Sequence, residues 1–358
     1  MTKPHCSKPS RFLSPPSVVA ALGPALFMAS GLSAQSTSDG IADGDDDNPD
    51  AATVLEQSGN DGAGVFHLNQ SAGDGSNQGN VLTIASTADA GAAVADAASS
   101  QAVADQDIGS PIAGNASMTE VANRFEGVFG INQSSGAGSS QDNVVALAVT
   151  DDPASVAIAS ATGSVSSRTT YSGAAMVIPA VTIAGFGNDS AGVMQANQIA
   201  GIGGRQSNIV SFASAGQGIA LADATALDAR SSSGEGDGAL PPAPAVGATG
   251  LSNSFNGAAG LVQVNQATGG WNSQTNLVAA AFGSFADASA ISESGLGDVR
   301  PLEEGTYEGE PGATGESHGM ESSFEGFVGI GQVSQVTGYG NQTANTMSVS
   351  VSYGQPGQ

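Results

Sequence analysis

Few side chains in this sequence are equipped for chemistry. Beyond residue 34 there is no Cys and no Lys, and the only imidazoles are His67 and His318. His67 stands where later copies of a repeat carry Gly130, Gln195 and Gln263, so it reads as a polar, outward-facing strand residue rather than a metal ligand. His318 lies in an acidic linker and reads as solvated. The run Asp43-Gly44-Asp45-Asp46-Asp47-Asn48-Pro49-Asp50 is oxygen-rich, as a Ca²⁺ loop must be, with Asp43, Asp45 and Asp47 as its candidate ligands. Counted from Asp43, the twelfth position is Val54 and not a bidentate Glu. The run is therefore no EF-hand and reads as a solvated acidic tail. No Gly-x-Ser-x-Gly elbow occurs in a strand-to-helix context, and the acids fall in segments where a catalytic pair would lack a rigid scaffold. No catalytic residue, cofactor or metal site is expected, and the chain does not read as an enzyme. Trp271 and Tyr339, at two repeat turns, could anchor a carbohydrate or a surface, but a lone aromatic there more often packs on the next layer.

The composition narrows the classes further. The chain has 358 residues, 8 Lys+Arg against 33 Asp+Glu, 51 Gly and 5% aromatic residues. A net charge of −25 excludes binding to nucleic acid, which needs cations against phosphate, and docking on anionic lipid. Lys3, Lys8 and Arg11 precede an apolar run from Val18 to Leu32, interrupted by Pro24, with small residues at Gly31, Ser33 and Ala34. That order predicts a secretory signal peptide over residues 1–34. The run is too short and broken to span a bilayer, so no membrane insertion is expected. Cleavage after Ala34 leaves five Arg against 33 acids, a net charge of −28, and no Cys for a disulfide.

The dominant feature is a repeat. Five segments align without gaps over 21 residues: Val65–Ala85, Val128–Ala148, Val193–Ala213, Leu261–Ala281 and Ile330–Ser350. Asn69, Asn132, Asn197 and Asn265 open the frame, with Ser334 in the fifth copy. Gln70, Gln133, Gln198, Gln266 and Gln335 follow, and Gly73, Gly136, Gly201, Gly269 and Gly338 are expected to hold the turn. A second Gln stands at Gln78, Gln141, Gln206 and Gln274, slipping by one to Gln342. Asn80, Asn143, Asn208, Asn276 and Asn345 close the frame, each 11 residues after its opening position. Phe125-Glu126-Gly127, Phe255-Asn256-Gly257 and Phe324-Glu325-Gly326 flank three copies at slightly different offsets.

Each copy predicts strand, turn, strand. The first arm alternates, as in Val128-Phe129-Gly130-Ile131, and the second carries branched residues, as in Asn143-Val144-Val145. A hairpin and a β-arch share this local sequence. All 15 prolines lie outside the cores, and of the 33 acids only Asp74 and Asp142 lie inside. High β-propensity without charge or proline is the composition of cross-β segments, in which Asn and Gln at matching positions form amide ladders. The expected organisation is an acidic N-terminal tail over 35–63 and repeats over 64–86, 125–149, 186–214, 255–282 and 324–352. Ala/Gly/Ser/Asp-rich spacers separate them, with flexible linkers at 231–248 and 301–321. Part of the spacer around Ala154, Val156 and Ile158 reads as further β structure. The fold class is all-β, a repeat-built β-solenoid or cross-β stack of five strand–turn–strand units with flexible spacers.

The frame Gly-x-x-Gln-x-Asn, as in Gly75–Asn80, Gly138–Asn143 and Gly203–Asn208, resembles the repeats of Fap-type bacterial functional amyloids and is more distantly similar to curlin repeats. The chain departs from the first in having five copies and in lacking a Cys pair near residue 358. The resemblance implies passage through the periplasm and an outer-membrane export system, then a homopolymer outside the cell or at its surface that serves biofilm. The reading is a secreted structural protein that self-assembles into extracellular fibres. The alternatives are a monomeric β-solenoid adhesin and a minor nucleator of another fibre subunit.

Overall fold

The computed structural model describes residues 50–72, 75–88, 91–108, 113–151, 155–171, 180–216, 218–230, 248–284, 288–296, 317–338 and 340–353. The expected signal peptide, Asp43–Asp47, Gly73, Asp74 and Tyr339 lie outside them. Every regular element described is a strand, and the strands form five rungs. The first rung holds β1 (Asp50–Glu56), β2 (Ala63–Ala72), β3 (Asn77–Thr87) and β4 (Ala92–Ile108). The second holds β5 (Ala113–Thr119), β6 (Glu126–Ala137), β7 (Ser140–Thr150) and β8 (Val156–Tyr171). The third holds β9 (Ala180–Ala184), β10 (Ala191–Ile202), β11 (Arg205–Ala215) and β12 (Ile219–Arg230). The fourth holds β13 (Ala248–Ser252), β14 (Ala259–Gly270), β15 (Ser273–Ser284) and β16 (Ala288–Leu296). The fifth adds β17 (Ser317–Glu321), β18 (Val328–Val336) and β19 (Gln342–Tyr353).

Like strands pair with like. Sheet A stacks β1, β5, β9, β13 and β17; sheet B stacks β2, β6, β10, β14 and β18. Sheet C stacks β3, β7, β11, β15 and β19, and sheet D stacks only β4, β8, β12 and β16. All pairings are parallel, and Val128 pairs with Val193 and Gln133 with Gln198. The two arms of a copy, such as β6 and β7, lie in different sheets, so each repeat is an arch and not a hairpin. Parallel neighbours require a long crossover, and here the crossover is the remainder of the rung.

The sheets layer in the order A, B, C, D, and each interface has its own chemistry. Between A and B runs an aromatic and aliphatic core that includes Phe129, Phe186, Phe255, Met118 and Ile131. Its rings form a file. Phe66 stacks on Phe129 at 4.6 Å, Phe129 meets Phe186 at 5.6 Å, Phe186 meets Phe255 at 5.1 Å, and Phe255 stacks on Phe324 at 5.0 Å. Between B and C, Val128, Val193 and Leu261 pack against Leu147, Val210 and Phe212. The C–D interface is made largely of alanine, with Ala157, Ala159 and Ala161 facing Val144, Ala146 and Ala148.

Three expectations are corrected here. The spacers are not merely flexible: they supply β4, β8, β12 and β16, and sheet A. The alternation around Val156 and Ile158 falls in β8. Val156 and Ile158 are half-exposed while Ala157 and Ala159 are buried against sheet C. Strand β1 falls within the presumed tail 35–63, and β13 begins at 248; β17, which carries His318, lies in the presumed linker 301–321. The Phe-Glu-Gly flanks are also not equivalent, since Gly127 pairs with Gly192, then Gly260 and Gly329, rather than with Gly257 or Gly326.

That glycine file fixes how closely the rungs approach. Gly192 has φ +128°, and a Cβ built on it would lie 2.0 Å from the carbonyl oxygen of Gly127. Both the backbone region and the space forbid a side chain. Gly250, by contrast, would place a Cβ no nearer than 3.8 Å, against the Thr182 methyl. Gly192→Ala should therefore lower the denaturation midpoint sharply, while Gly250→Ala leaves it nearly unchanged or raises it; equal midpoints would contradict this register.

Candidate functional site

The residues with a repeated polar pattern converge on the interior of sheets B and C. Strand alternation sends the first Gln of each copy toward sheet A and the preceding Asn toward sheet C. The Gln side chains form one continuous file. Gln133 Nε2 donates to Gln70 Oε1 at 3.0 Å, Gln198 to Gln133 at 2.6 Å, Gln266 to Gln198 at 3.1 Å and Gln335 to Gln266 at 2.8 Å. The same nitrogens also donate to backbone carbonyls of sheet A, Gln70 to Val54 at 3.1 Å and Gln266 to Gly250 at 3.0 Å. The file thereby ties two sheets as well as five rungs.

The Asn pairs form a two-column lattice between B and C. Asn132 donates to Asn69 at 3.0 Å, Asn197 to Asn132 at 2.9 Å and Asn265 to Asn197 at 3.0 Å. In the facing column Asn143 donates to Asn80 at 2.8 Å, Asn208 to Asn143 at 3.1 Å, Asn276 to Asn208 at 3.0 Å and Asn345 to Asn276 at 2.9 Å. Within a rung the columns join: Asn143 donates to Asn132 at 2.9 Å and Asn276 to Asn265 at 2.9 Å. The second Gln links Gln78 to Gln141 at 2.7 Å, Gln141 to Gln206 at 3.0 Å and Gln206 to Gln274 at 2.6 Å. That file ends at the fifth rung, where Gln274 donates to Ser334 Oγ at 2.9 Å. Gln342 stands out of the file because it pairs with Ser273, and Thr343 takes the register position of Gln274.

Two further files escaped the sequence reading. Gln195, Gln263 and Gln332 form a third Gln ladder, with bonds of 2.9 Å at both steps. His67 occupies its first-rung position, which faces sheet C; burial pushes its imidazole below the ordinary range. The expected outward orientation is thus reversed, and its partial exposure comes from standing on the first rung. At the A–B corner, the side-chain oxygens of Asn60, Asn123, Asn188 and Asn256 each accept the backbone N–H of the next rung at 2.8 Å. The signal for this file, an Asn 63, 65 and 68 residues apart, lies outside the 21-residue frame. Beside it Arg124 grips Asp61, with Nη2 to Oδ2 at 2.8 Å, which lowers the Asp61 carboxyl and raises the Arg124 guanidinium.

The frame glycines lie at strand ends rather than in the arc itself. Gly136, Gly201 and Gly269 belong to β6, β10 and β14, and a Cβ on Gly136 would meet the Gly201 carbonyl oxygen at 1.9 Å. The left-handed arc residue comes two positions later, at Gly75, Gly138, Gly203 and Gly340, with Trp271 at the fourth rung (φ 53°). Of the buried ionisable groups among the described residues, which include Arg205 at 2% exposure, one is an acid. Asp142, on the C–D face of β7, has both oxygens without a partner at full hydrogen-bond geometry. Burial pushes its carboxyl up to about 7, and the nearby Ser99 hydroxyl offsets this only in part.

Two predictions follow from this geometry. Gln198→Ala removes a buried amide whose neighbours Gln133 and Gln266 each lose a partner, at a cost of ~1–3 kcal/mol in a denaturation series. An unchanged midpoint would remove the ladder from the stabilising interactions. Asp142 takes up a proton on folding between its unfolded value near 3.8 and its folded value of about 7, so its burial costs nothing below that window and its full penalty above it. Asp142→Asn should leave stability at pH 3 nearly unaltered and raise it at pH 8, by as much as ~4 kcal/mol; a gain of equal size at both pH values would contradict the assignment.

No curated protein and no solved structure matches the chain. One protein family does, described as the functional amyloid protein FapB/FapC family, over residues 29–215 and 177–352. The two overlapping matches run from 29 to 352 of the 358 residues. The chain belongs to the functional amyloid protein FapB/FapC family.

Proposed function

We propose that the protein is a secreted structural subunit that self-assembles into extracellular amyloid-like fibres serving biofilm matrix or surface attachment. The observation that carries this reading is the in-register parallel stack itself. Every rung rests on its equivalent, so the interaction between rungs is of the kind one copy can offer another. An edge strand left without a neighbour is a template for pairing, and among the described residues each of the four sheets ends in such strands. Family membership supports a fibre role, and the basic, apolar and small segments of residues 1–34 support export by way of the periplasm and an outer-membrane system.

A chain that stacks five rungs on its own also fits a monomeric β-solenoid adhesin, or a nucleator for another subunit. Fibre diffraction after quiet incubation near pH 7 separates these. A meridional reflection at about 4.8 Å with an equatorial one near ~10 Å is expected from the fibre. A clear solution of cooperatively unfolding monomers would instead establish the adhesin. Joint Gln→Ala substitution at Gln70, Gln133, Gln198, Gln266 and Gln335 should slow fibre growth more than five substitutions in the spacers; equal rates would separate the ladders from assembly.

A further inference from the structure

The two ends of the stack differ, and their differences fit each other. Extending the internal register by one rung places Ala63 of another copy on Val328, Gly64 on Gly329 and Gln70 on Gln335. In sheet C the same step places Asn80 on Asn345. The glycine file continues, since Gly329 already accepts no Cβ against Gly260, with 1.8 Å to its carbonyl oxygen. At the ring file, Phe66 of the incoming copy falls on Gly331, beside the rings of Phe324 and Phe327.

The corner supplies a sharper sign. In four rungs the group that accepts the N–H of the following rung is an Asn amide, while in the fifth rung the same position is Glu325. Its own N–H is bound by Asn256 at 2.8 Å, which leaves the carboxylate to receive the N–H of Asn60 from the next copy. A carboxylate makes a stronger acceptor for a backbone N–H than an amide does.

Sheet D does not take part. Among the described residues the fifth rung has no strand there. On β19, Thr346, Ser348 and Ser350 stand in register with Leu277, Ala279 and Ala281, so the face that a strand would cover is hydroxylated. Ser348 bonds Ser292 at 2.7 Å and Ser350 donates to the Ala288 carbonyl, so that face of β19 bonds to β16.

We infer that copies join head to tail, rung one of one chain on rung five of another, in the internal register and through sheets A, B and C alone. The inference rests on the fibre reading above and specifies its joint. That joint also sets Glu56 over Glu321 on the outer face of sheet A, which makes it directly testable. Paired parallel strands stand about 4.8 Å apart, within the roughly 4.4–6.8 Å Cα separation that a disulfide spans.

The experiment uses the full chain carrying Cys6→Ser, with Glu56→Cys in one preparation and Glu321→Cys in another. Mixed, assembled and oxidised, the two should give linked dimers containing one of each, and neither alone should link. Val54→Cys in place of Glu56→Cys, two residues out of register, should give none. The double variant Glu56→Cys/Glu321→Cys should give a covalent ladder of higher multiples. Linking within either single preparation would establish a head-to-head or tail-to-tail joint and overturn the inference. Fibres with the ~4.8 Å reflection but no 56–321 bond would overturn it while leaving the fibre reading intact. Absence of fibres from the Cys6→Ser chain would overturn both.

Discussion

A primary amide carries two donors and an acceptor, and burying one without partners costs more than a satisfied pair returns. Between sheets B and C this protein buries Asn132, Asn143, Asn197, Asn208, Asn265 and Asn276, each at or below 1% exposure. No apolar neighbour could satisfy them. An identical amide one rung away satisfies them together with the facing Asn column and backbone carbonyls, because donor and acceptor repeat at the strand spacing. The rest of the architecture depends on that requirement: strands must be parallel, their register exact to the residue, and every rung the same depth.

The surrounding layers are arranged to permit it. Glycine at both ends of the sheet B strands lets the backbone of one rung close on the next, as at Gly127 and Gly136. The phenylalanine file between A and B tolerates variation, since Phe129 and Phe186 meet edge-on where Phe66 and Phe129 stack. Alanine between C and D brings those sheets close. A cross-β interior is thus built from three separate chemistries, of which the amide files, including the first Gln file facing sheet A, demand identity between rungs.

This division explains what could be read from the sequence. The Asn and Gln frame was legible because a ladder admits one residue type per file, so the constraint is written five times over. Spacer strands were obscure because Ala157 or Ala222 satisfies its interface by being small, and alanine carries little strand propensity. The corner file of Asn60, Asn123, Asn188 and Asn256 repeats as strictly as the frame, yet its neighbours vary, and Glu325 breaks it at the last rung. His67 was assigned to the wrong face because alternation within a strand names two faces without saying that both are buried. Gln342 looked like a slipped ladder member, whereas a one-residue slip moves a side chain to the opposite face.

The ladder bonds between equivalent residues of neighbouring rungs join positions 63 to 69 apart. Loop-closure entropy grows only as the logarithm of length, so spacers of unequal size cost almost the same, and insertions between rungs are tolerated as long as the frame is kept. The ordering of backbone is a different matter. Two rungs must be fixed before the first interface exists, whereas each later rung brings an interface with it, the behaviour of a one-dimensional lattice with nearest-neighbour coupling. The chain is consequently cooperative in a particular direction: hesitant at its first closure, and fast wherever an ordered edge is already waiting.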